Sequence, residues 1–420
     1  MTNRTTAEPA PAATATDRQD ERLQDRSGAR GAVQGFLDSL RSGDIGVLPV
    51  VVGLVVIWTV LQLLNPIFLS SANLVNLLLE SAAVGVIALG IVCILLVAQI
   101  DLSVGSVSGL SAAVVAVLYV NRGLPVWIAV LCAVLGGAVT GWIYAQMFNR
   151  IGVPSFVITL AGLLAFLGLQ LYVLGPAGSI NLPFDSPLVT FAQQAFLPAW
   201  LSYLLVVVAA LGLFVTGFLH ARERRAAGLS AGSLVGLLIR SGLLLVGLGF
   251  AVWYLNRTRG VGWMFVFFVA LVLVMHYALT RTSWGRAMYA VGGNAEAARR
   301  AGINVKAIYT SAFVLCSSFA AIGGILAASR LAAANQSSGG GDVNLNAIAA
   351  AVIGGTSLFG GRGTAFAALL GILVIQSISS GLTLLNLDSS FRFMVTGAVL
   401  LLAVALDSVS RRSRSSHGRA

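Results

Sequence analysis

The stretch LVNLLLESAAVGVIALGIVCILLVA, residues 74–98, decides the fold of this chain. Its only polar side chains are those of Asn76, Glu80 and Ser81. About 20 consecutive apolar residues are enough to cross the hydrocarbon core of a bilayer as a helix. Lipid offers the backbone no hydrogen-bond partners, so a single segment of this kind must be helical. The stretch therefore predicts a membrane-spanning helix.

Apolar runs of the same kind recur along the chain. The mean hydropathy is +0.91 and only 10% of the residues are charged, whereas a soluble domain carries about 25%. We expect an all-α, polytopic transmembrane helix bundle of about 10–12 spans. The runs 105–120 and 345–359 are shorter than a full span, so each is either a short span or a broken or re-entrant helix. The candidate spans are residues 47–64, 74–98, 105–120, 125–148, 155–174, 199–219, 237–255, 261–279, 307–328, 345–359, 364–385 and 391–406.

The positive charges predict the orientation. If the N-terminus is cytoplasmic, twenty of the 26 Lys and Arg residues fall in cytoplasmic segments, as the positive-inside rule requires. Both termini are then cytoplasmic and the number of spans is even. Because the charges are spread over short loops and form no single patch, we expect no nucleic-acid partner.

The chain has three predicted regions. Residues 1–44 are polar and poor in aromatic side chains, which is typical of a disordered tail. Residues 45–408 form the transmembrane domain, and residues 409–420 form a basic cytoplasmic tail. The three cysteines lie inside apolar runs and the three histidines are scattered, so we expect no disulfide, metal site or cofactor.

Residues 281–306, RTSWGRAMYAVGGNAEAARRAGINVK, form the most informative loop between spans. They contain an N-cap, an acidic first turn, a basic last turn and a C-terminal glycine, which together predict a helix of about two turns. Gly292 and Gly293 are expected to free the chain just before it. The helix is either a capped connector or a rigid knob that docks on another subunit. Its defining residues are Asn294, Glu296, Arg299, Arg300 and Gly302.

No phosphate-binding loop of the GxxxxGK[ST] type is present, and Lys306 is the only lysine of the chain. The chain therefore cannot hydrolyse nucleotide by that route. If transport is driven by ATP, the motor is a separate subunit that needs a cytoplasmic attachment point.

Three motifs carry a family resemblance. QIDLSVGSVSGL at 99–110, AVGGNAEAARRAGINV at 290–305 and LNAIAAAVIGGTSLFGGRGT at 345–364 resemble segments of the bacterial ribose, galactose and xylose ABC importer permeases. Within that family, VPSFVITLAGLLAFLG at 153–168 and the extra spans around 222–229 look most like the xylose permeases.

This resemblance implies a transport subunit of the bacterial cytoplasmic membrane that is not itself an enzyme. It implies a homodimer that moves a monosaccharide, xylose or a related pentose. It also implies a cytoplasmic ABC ATPase subunit and an extracytoplasmic sugar-binding protein as partners. Residues 294–302 would then be the helix that couples the permease to the ATPase.

The candidate path residues are polar side chains in or beside spans, where an ionisable group is a functional candidate. Glu80, Asn76 and Asn73 share one helix face, which either lines a translocation path or bonds neighbouring helices. Asp101 either caps the next helix by accepting from the backbone N–H of Ser103 or Val104, or lies on the sugar path.

Thr356 and Ser357 lie among Gly354, Gly355, Gly360, Gly361 and Gly363. Small residues at this density favour close helix packing or a hinge over direct sugar contact.

Two other functions remain open. A proton-coupled secondary sugar transporter would need a titrating acid near the midplane, often paired with Arg or His. Glu80 and Asp101 are the available acids, and Arg240, the available basic partner, lies towards the wrong end of its span. A membrane enzyme would need clustered carboxylates or histidines at the interface, and the sequence shows no such cluster.

Overall fold

The structure is a computed structural model that describes residues 48–227, 234–388, 390–391, 393–398 and 401. The helices are α1 Leu48–Leu64, α2 Ser71–Leu96, α3 Val104–Ala116, α4 Val126–Gln146, α5 Ser155–Leu174, α6 Pro187–Val189, α7 Ala199–Ala226, α8 Leu234–Leu255, α9 Trp263–Arg281, α10 Ser283–Gly293, α11 Ala295–Arg300, α12 Val305–Leu331, α13 Gly341–Ile353 and α14 Phe366–Leu384. The π-helical turns Val117–Asn121, Met147–Ile151 and Thr190–Gln194 continue α3, α4 and α6. The strands β1 (Ser179–Asn181) and β2 (Ala333–Asn335) pair antiparallel.

The predicted all-α, polytopic bundle is confirmed. Within the described residues, nine helices are long and apolar enough to cross a membrane. The run predicted at 105–120 is one of them, because α3 and its π-helical turn together form the 18-residue segment Val104–Asn121. The predicted tails 1–44 and 409–420, and half of the candidate span 391–406, lie outside the described residues.

The segment predicted at 345–359 is not a complete span. Its helix, α13, has 13 residues and is about 20 Å long at 1.5 Å per residue, which is less than the hydrocarbon thickness of about 30 Å. The glycine-rich segment 354–363 follows α13 directly and ends it. A broken or re-entrant helix, one of the two alternatives for this run, is the form that the structure supports.

The described residues form two compact units. One unit, residues 198–254, contains α7 and all but the last residue of α8. In it, a Cβ atom on Gly217 of α7 would lie only 2.5 Å from Leu237 Cδ1 of α8. Glycine at this position therefore lets these two helices pack closely.

In the other unit, α12 packs against α2, α3 and α4. Each contact contains a glycine whose missing side chain makes room for a backbone carbonyl. A Cβ atom on Gly90 of α2 would lie 2.8 Å from Cys316 O, and one on Gly141 of α4 would lie 2.3 Å from Phe313 O. Small residues of this kind let transmembrane backbones approach closely.

Helix α2 contains the stretch from which the sequence analysis began. Ser70 caps its N-terminus by accepting from the backbone N–H of Asn73. From Ala82 to Leu96 its residues are buried, apart from the partly buried Val84. The chain turns out of the helix at Ala98, which adopts a left-handed φ of +57°. Helix α2 is therefore a core element with two structurally distinct ends.

Gly371 offers a test of this packing. A Cβ atom there would lie 1.7 Å from Ala350 O of α13, whereas one on Gly136 of α4 meets nothing within 4 Å. We expect Gly371→Ala to destabilise the purified protein by overpacking, a cost of about 1–3 kcal/mol. The control Gly136→Ala is expected to be neutral or stabilising, because alanine is the better helix former. Thermal unfolding in detergent measures both, and equal melting temperatures for the two variants would contradict this packing.

Candidate functional site

A polar stripe runs along the first three turns of α2. Asn73, Asn76 and Glu80 lie three and four residues apart, so helix geometry places them on one face. Each contacts a polar side chain from another part of the chain. Gln376 Nε2 donates to Glu80 Oε2 at 2.5 Å, and Ser380 Oγ donates to Asn73 Oδ1 at 3.2 Å. Arg259 donates to Asn76 Oδ1. We use "polar stripe" for Asn73, Asn76, Glu80, Arg259, Gln376 and Ser380.

The charges of the stripe are not buried in protein. Glu80 and Arg259 are exposed, although Glu80 belongs to a helix that is otherwise largely apolar. A charged side chain facing lipid at the centre of a span costs about 2.5–3.5 kcal/mol. Phe196 lies 5.1 Å from the Arg259 guanidinium and contributes a cation–π contact. The stripe is therefore suited to a water-filled cavity or a polar partner, where its charges keep their solvation.

Asp101 and Ser103 lie in the turn that separates α2 from α3, in a different environment. Asp101 Oδ1 accepts from the backbone N–H of Ser103 at 2.8 Å and from Ser103 Oγ at 2.7 Å. Tyr144 of α4 donates its hydroxyl hydrogen to Ser103 Oγ at 2.9 Å. Asp101 and Ser103 are both completely buried. This chain of hydrogen bonds joins the turn to α4 and does not include the polar stripe.

Asp101 accepts from Ser103 as the capping interpretation expected, but the helix N-cap itself is Ser103. The carboxylate bonds the residue two positions ahead, in the manner of an Asx-turn. Asp101 Oδ2 has no hydrogen-bond partner among the described residues. The thiol of Cys316 lies beside this carboxylate.

Thr356 and Ser357 are buried in the glycine-rich segment 354–363. The backbone N–H of Ser357 donates to Arg362 O at 3.0 Å, which closes a tight loop. A Cβ atom on Gly354 would lie 1.9 Å from Ala367 O. These contacts agree with the packing role that the sequence favoured, and neither of them involves a residue of the polar stripe.

The helix predicted in the 281–306 loop is α11, a charged knob with its own caps. Asn294 Oδ1 accepts from the backbone N–H of Ala297 at 2.9 Å, and Gly302 ends the helix with a φ of +84°. Glu296 pairs with Arg299 at 2.9 Å and with Arg300 at 3.3 Å. The three charged side chains are 55%, 67% and 80% exposed, so the pairs are screened and add little stability. Their exposed face is available to another protein. We call residues 294–302 the knob.

The expectation that Gly292 and Gly293 loosen the chain before the knob is wrong for Gly292. Both glycines are helical residues at the end of α10, a helix that the sequence analysis did not predict. Gly292 is buried against the end of α2, because α10 packs there and only glycine leaves enough room. Gly293 is exposed.

The structure therefore divides the sequence-predicted residues into separate groups. Asn76 and Glu80 belong to the polar stripe, whereas Asp101 and Ser103 lie in the turn before α3. In the described part of the chain, no three His, Cys, Asp or Glu side chains are grouped as a metal site would require. The residues missed were Arg259, Gln376, Ser380 and Tyr144, which lie on other segments and share no local pattern with their partners.

The family model described as the permease component of branched-chain amino acid transport systems matches residues 73–404. The chain is 38% identical over 352 residues to the xylose transport system permease protein XylH of Escherichia coli (strain K12), which covers 82% of this chain and 87% of that protein.

The chain is also 31% identical over 355 residues to the ribose import permease protein RbsC of Bacillus subtilis (strain 168). That match covers 84% of this chain and 90% of RbsC. It is 29% identical over 347 residues to the fructose import permease protein FrcC of Rhizobium meliloti. That match covers 82% of this chain and 80% of FrcC. No solved structure matches the chain. The family predicted from the three sequence motifs is confirmed. The chain belongs to the permease-component family of these bacterial transport systems and is a multi-pass protein of the inner membrane.

Proposed function

We propose that this chain is the membrane-spanning subunit of an ATP-driven importer that carries a monosaccharide, xylose or a related pentose, into the bacterial cytoplasm. The observation that carries the proposal is the 38% identity with a xylose permease along 87% of that protein. The ribose and fructose permeases among the relatives support a sugar as the substrate class. A branched-chain amino acid, named in the family description, is the competing substrate class.

The polar stripe is suited to a sugar that passes without being held tightly. Sugar hydroxyls both donate and accept hydrogen bonds. The Glu80 carboxylate accepts, the Arg259 guanidinium donates, and the Gln376 amide can do both. Because these side chains already bond one another, a passing sugar exchanges one set of hydrogen bonds for another at small net cost. We assign Asn76 and Glu80 to the translocation path on this basis.

A translocation path along the polar stripe must also be enclosed on the side that faces away from this chain. The stripe is open on the side where Glu80 and Arg259 are exposed. We propose that a second copy of the chain closes it, which agrees with the homodimer that the family resemblance implies. The charged groups would then face a shared aqueous cavity and not lipid.

The knob is the proposed attachment point for the ATPase. The sequence contains no phosphate-binding loop, so a separate subunit must hydrolyse ATP. The knob presents Glu296, Arg299 and Arg300 on a short, capped helix that is fixed by the buried Ala298. We propose that it docks in the ATPase on the cytoplasmic side, and that a sugar-binding protein delivers substrate to the opposite side.

Asp101, Ser103, Thr356 and Ser357 have structural roles in this proposal. All four are buried. Asp101 accepts from Ser103 within one turn, Ser103 accepts from Tyr144 of α4, and the Ser357 N–H donates to Arg362 O within the glycine-rich segment. They support the ends of helices and do not contact the sugar.

A proton-coupled sugar carrier is the second candidate function. The observation that favours it is the buried Asp101 carboxyl group, because such carriers use a titrating acid inside the membrane. Two hydrogen bonds from Ser103 already hold this carboxyl group, and Glu80 is bonded to Gln376. These pairings agree better with fixed structural and path roles than with a group that exchanges protons.

Transport energetics distinguish the two functions. In ATP-loaded, right-side-out vesicles that contain the chain, its ATPase and its binding protein, we expect xylose uptake to continue after a protonophore collapses the proton gradient. Uptake is expected to stop when the ATPase is omitted. Loss of uptake on adding the protonophore, with ATP present, would overturn the importer proposal. Uptake of leucine in place of any pentose or hexose would overturn the substrate class.

Glu80 tests the path assignment. Glu80→Leu removes the acceptor for Gln376 and the charge of the stripe. Hydrogen bonds to charged groups contribute about 1.5–3 kcal/mol, so we expect sugar uptake to fall at least about tenfold at an unchanged amount of protein in the membrane. Ser81→Ala is the matched control, because among the described residues the buried Ser81 hydroxyl bonds only Leu77 O of its own helix. Wild-type uptake by Glu80→Leu would show that the stripe does not line the path.

Asp101 tests the structural assignment. We expect Asp101→Ala to lower the yield of folded protein, because it leaves the Ser103 N–H and hydroxyl groups buried without their acceptor, a cost of about 1–3 kcal/mol for each group. Asp101→Asn keeps an acceptor oxygen at the same place and should retain most of the yield. Size-exclusion chromatography in detergent gives the yield. A changed sugar preference at normal yield would place Asp101 on the path instead.

A further inference from the structure

The end of α10 and the end of α2 meet in a backbone contact that the proposed function does not explain. A Cβ atom on Gly292 would lie 1.7 Å from Leu96 O and 2.6 Å from the backbone nitrogen of Gly361. No side chain fits between these segments. The helix that leads into the knob therefore rests directly on the main chain at the end of α2.

The glycine-rich segment 354–363 completes this contact. The backbone N–H of Gly361 donates to Leu96 O at 2.9 Å. A Cβ atom on Gly360 would lie 2.7 Å from both Gly292 O and the Ala98 side chain. Three segments that are distant in sequence thus meet at one carbonyl. We use "junction" for Leu96, Gly292, Gly360 and Gly361.

Tyr289 joins α10 to the same glycine-rich segment. Its hydroxyl donates to Gly363 O at 2.8 Å. Burial raises the pKa of Tyr289 above its ordinary value, so the phenol stays protonated and remains a donor at neutral pH. Because Tyr289 lies one turn before Gly292, this hydrogen bond keeps α10 pressed against the junction.

Helix α2 connects the junction with the polar stripe. Its 26 residues run without interruption from Ser71 to Leu96, a length of about 39 Å. Asn73, Asn76 and Glu80 lie in its first turns and Leu96 ends it. A continuous helix moves as a rigid element, so a displacement of Leu96 also moves the end that carries the stripe.

We propose that the junction transmits movement of the knob to α2, and that Gly292 and Tyr289 are the positioning residues for this coupling. This inference rests on the proposed importer function. When the ATPase moves the knob, α10 moves with it. Since α10 contacts the backbone of α2 without an intervening flexible side chain, the displacement reaches the helix that carries the polar stripe.

Adjacent glycines provide a matched pair of variants. Gly292→Ala forces a methyl group against Leu96 O and separates α10 from α2. Gly293→Ala changes the next residue in the same way, but its Cβ atom would meet nothing within 4 Å. Tyr289→Phe removes only the hydroxyl group and keeps the ring in place. Gly302→Pro disturbs the knob itself, because proline cannot adopt the φ of +84° found there.

The experiment uses the chain reconstituted in liposomes with its ATPase and sugar-binding protein. It measures retention of the ATPase, hydrolysis of ATP and uptake of labelled xylose. We expect Gly292→Ala to retain the ATPase and hydrolyse ATP, with sugar uptake per ATP reduced about tenfold. We expect a reduction of a few-fold for Tyr289→Phe and less than twofold for Gly293→Ala. Gly302→Pro is expected to weaken retention of the ATPase, which distinguishes failure at the knob from failure at the junction.

The inference is overturned if Gly292→Ala transports as much sugar per ATP as Gly293→Ala. If Gly292→Ala does not fold, Tyr289→Phe becomes the test of the junction. Wild-type sugar uptake per ATP by Tyr289→Phe would then overturn the inference. Failure of the importer proposal would look different, because the wild-type assembly itself would then show no ATP-driven uptake.

Discussion

Hydrocarbon offers a polypeptide backbone no hydrogen-bond partners, and the break between α2 and α3 is where this constraint matters most. A helix leaves its last four carbonyl groups unpaired, and the surrounding hydrocarbon cannot supply partners for them. Here Leu95 O accepts from the N–H of Ala98, Ile94 O from Gln99, and Leu96 O from Gly361 of a distant segment. On the other side of the break, Asp101 and Tyr144 bond Ser103. The chain can turn inside the bundle because these three carbonyl groups and the Ser103 N–H each have a protein partner.

The need to pair backbone groups within the protein also explains why glycine occupies position 292 and recurs in segment 354–363. A carbonyl of α2 meets a backbone N–H of segment 354–363 only if the main chains come within hydrogen-bonding distance. Any side chain at Gly292 would prevent this approach. The glycine-rich segment therefore has a structural purpose that its sequence only partly showed. It ends the short helix α13, supplies the donor to Leu96 O and accepts the hydroxyl hydrogen of Tyr289 at Gly363.

The two ends of α2 meet different requirements. Its first turns present amide and carboxylate groups that are hydrogen-bonded but accessible. Such groups suit a surface along which the hydroxyl groups of a sugar form and break hydrogen bonds. Its last turns are buried and enclosed by glycine contacts, which suits a mechanical connection. One uninterrupted helix thus joins a polar surface for substrate with a rigid contact for a partner subunit, and the two properties need no shared side chain.

The sequence by itself determined the membrane class, most of the spans and the caps of the knob. These properties depend on the length of apolar runs and on residues within one helical turn, such as Asn294 and Ala297. Tertiary structure alone decided the partners of the polar residues. Arg259 is 183 residues from Asn76, and Gln376 is 296 residues from Glu80. Local periodicity carries no information about which helices become neighbours, because that choice depends on how closely their backbones can approach. For the same reason Gly292, which looked like a flexible link, is a packed contact in the folded chain.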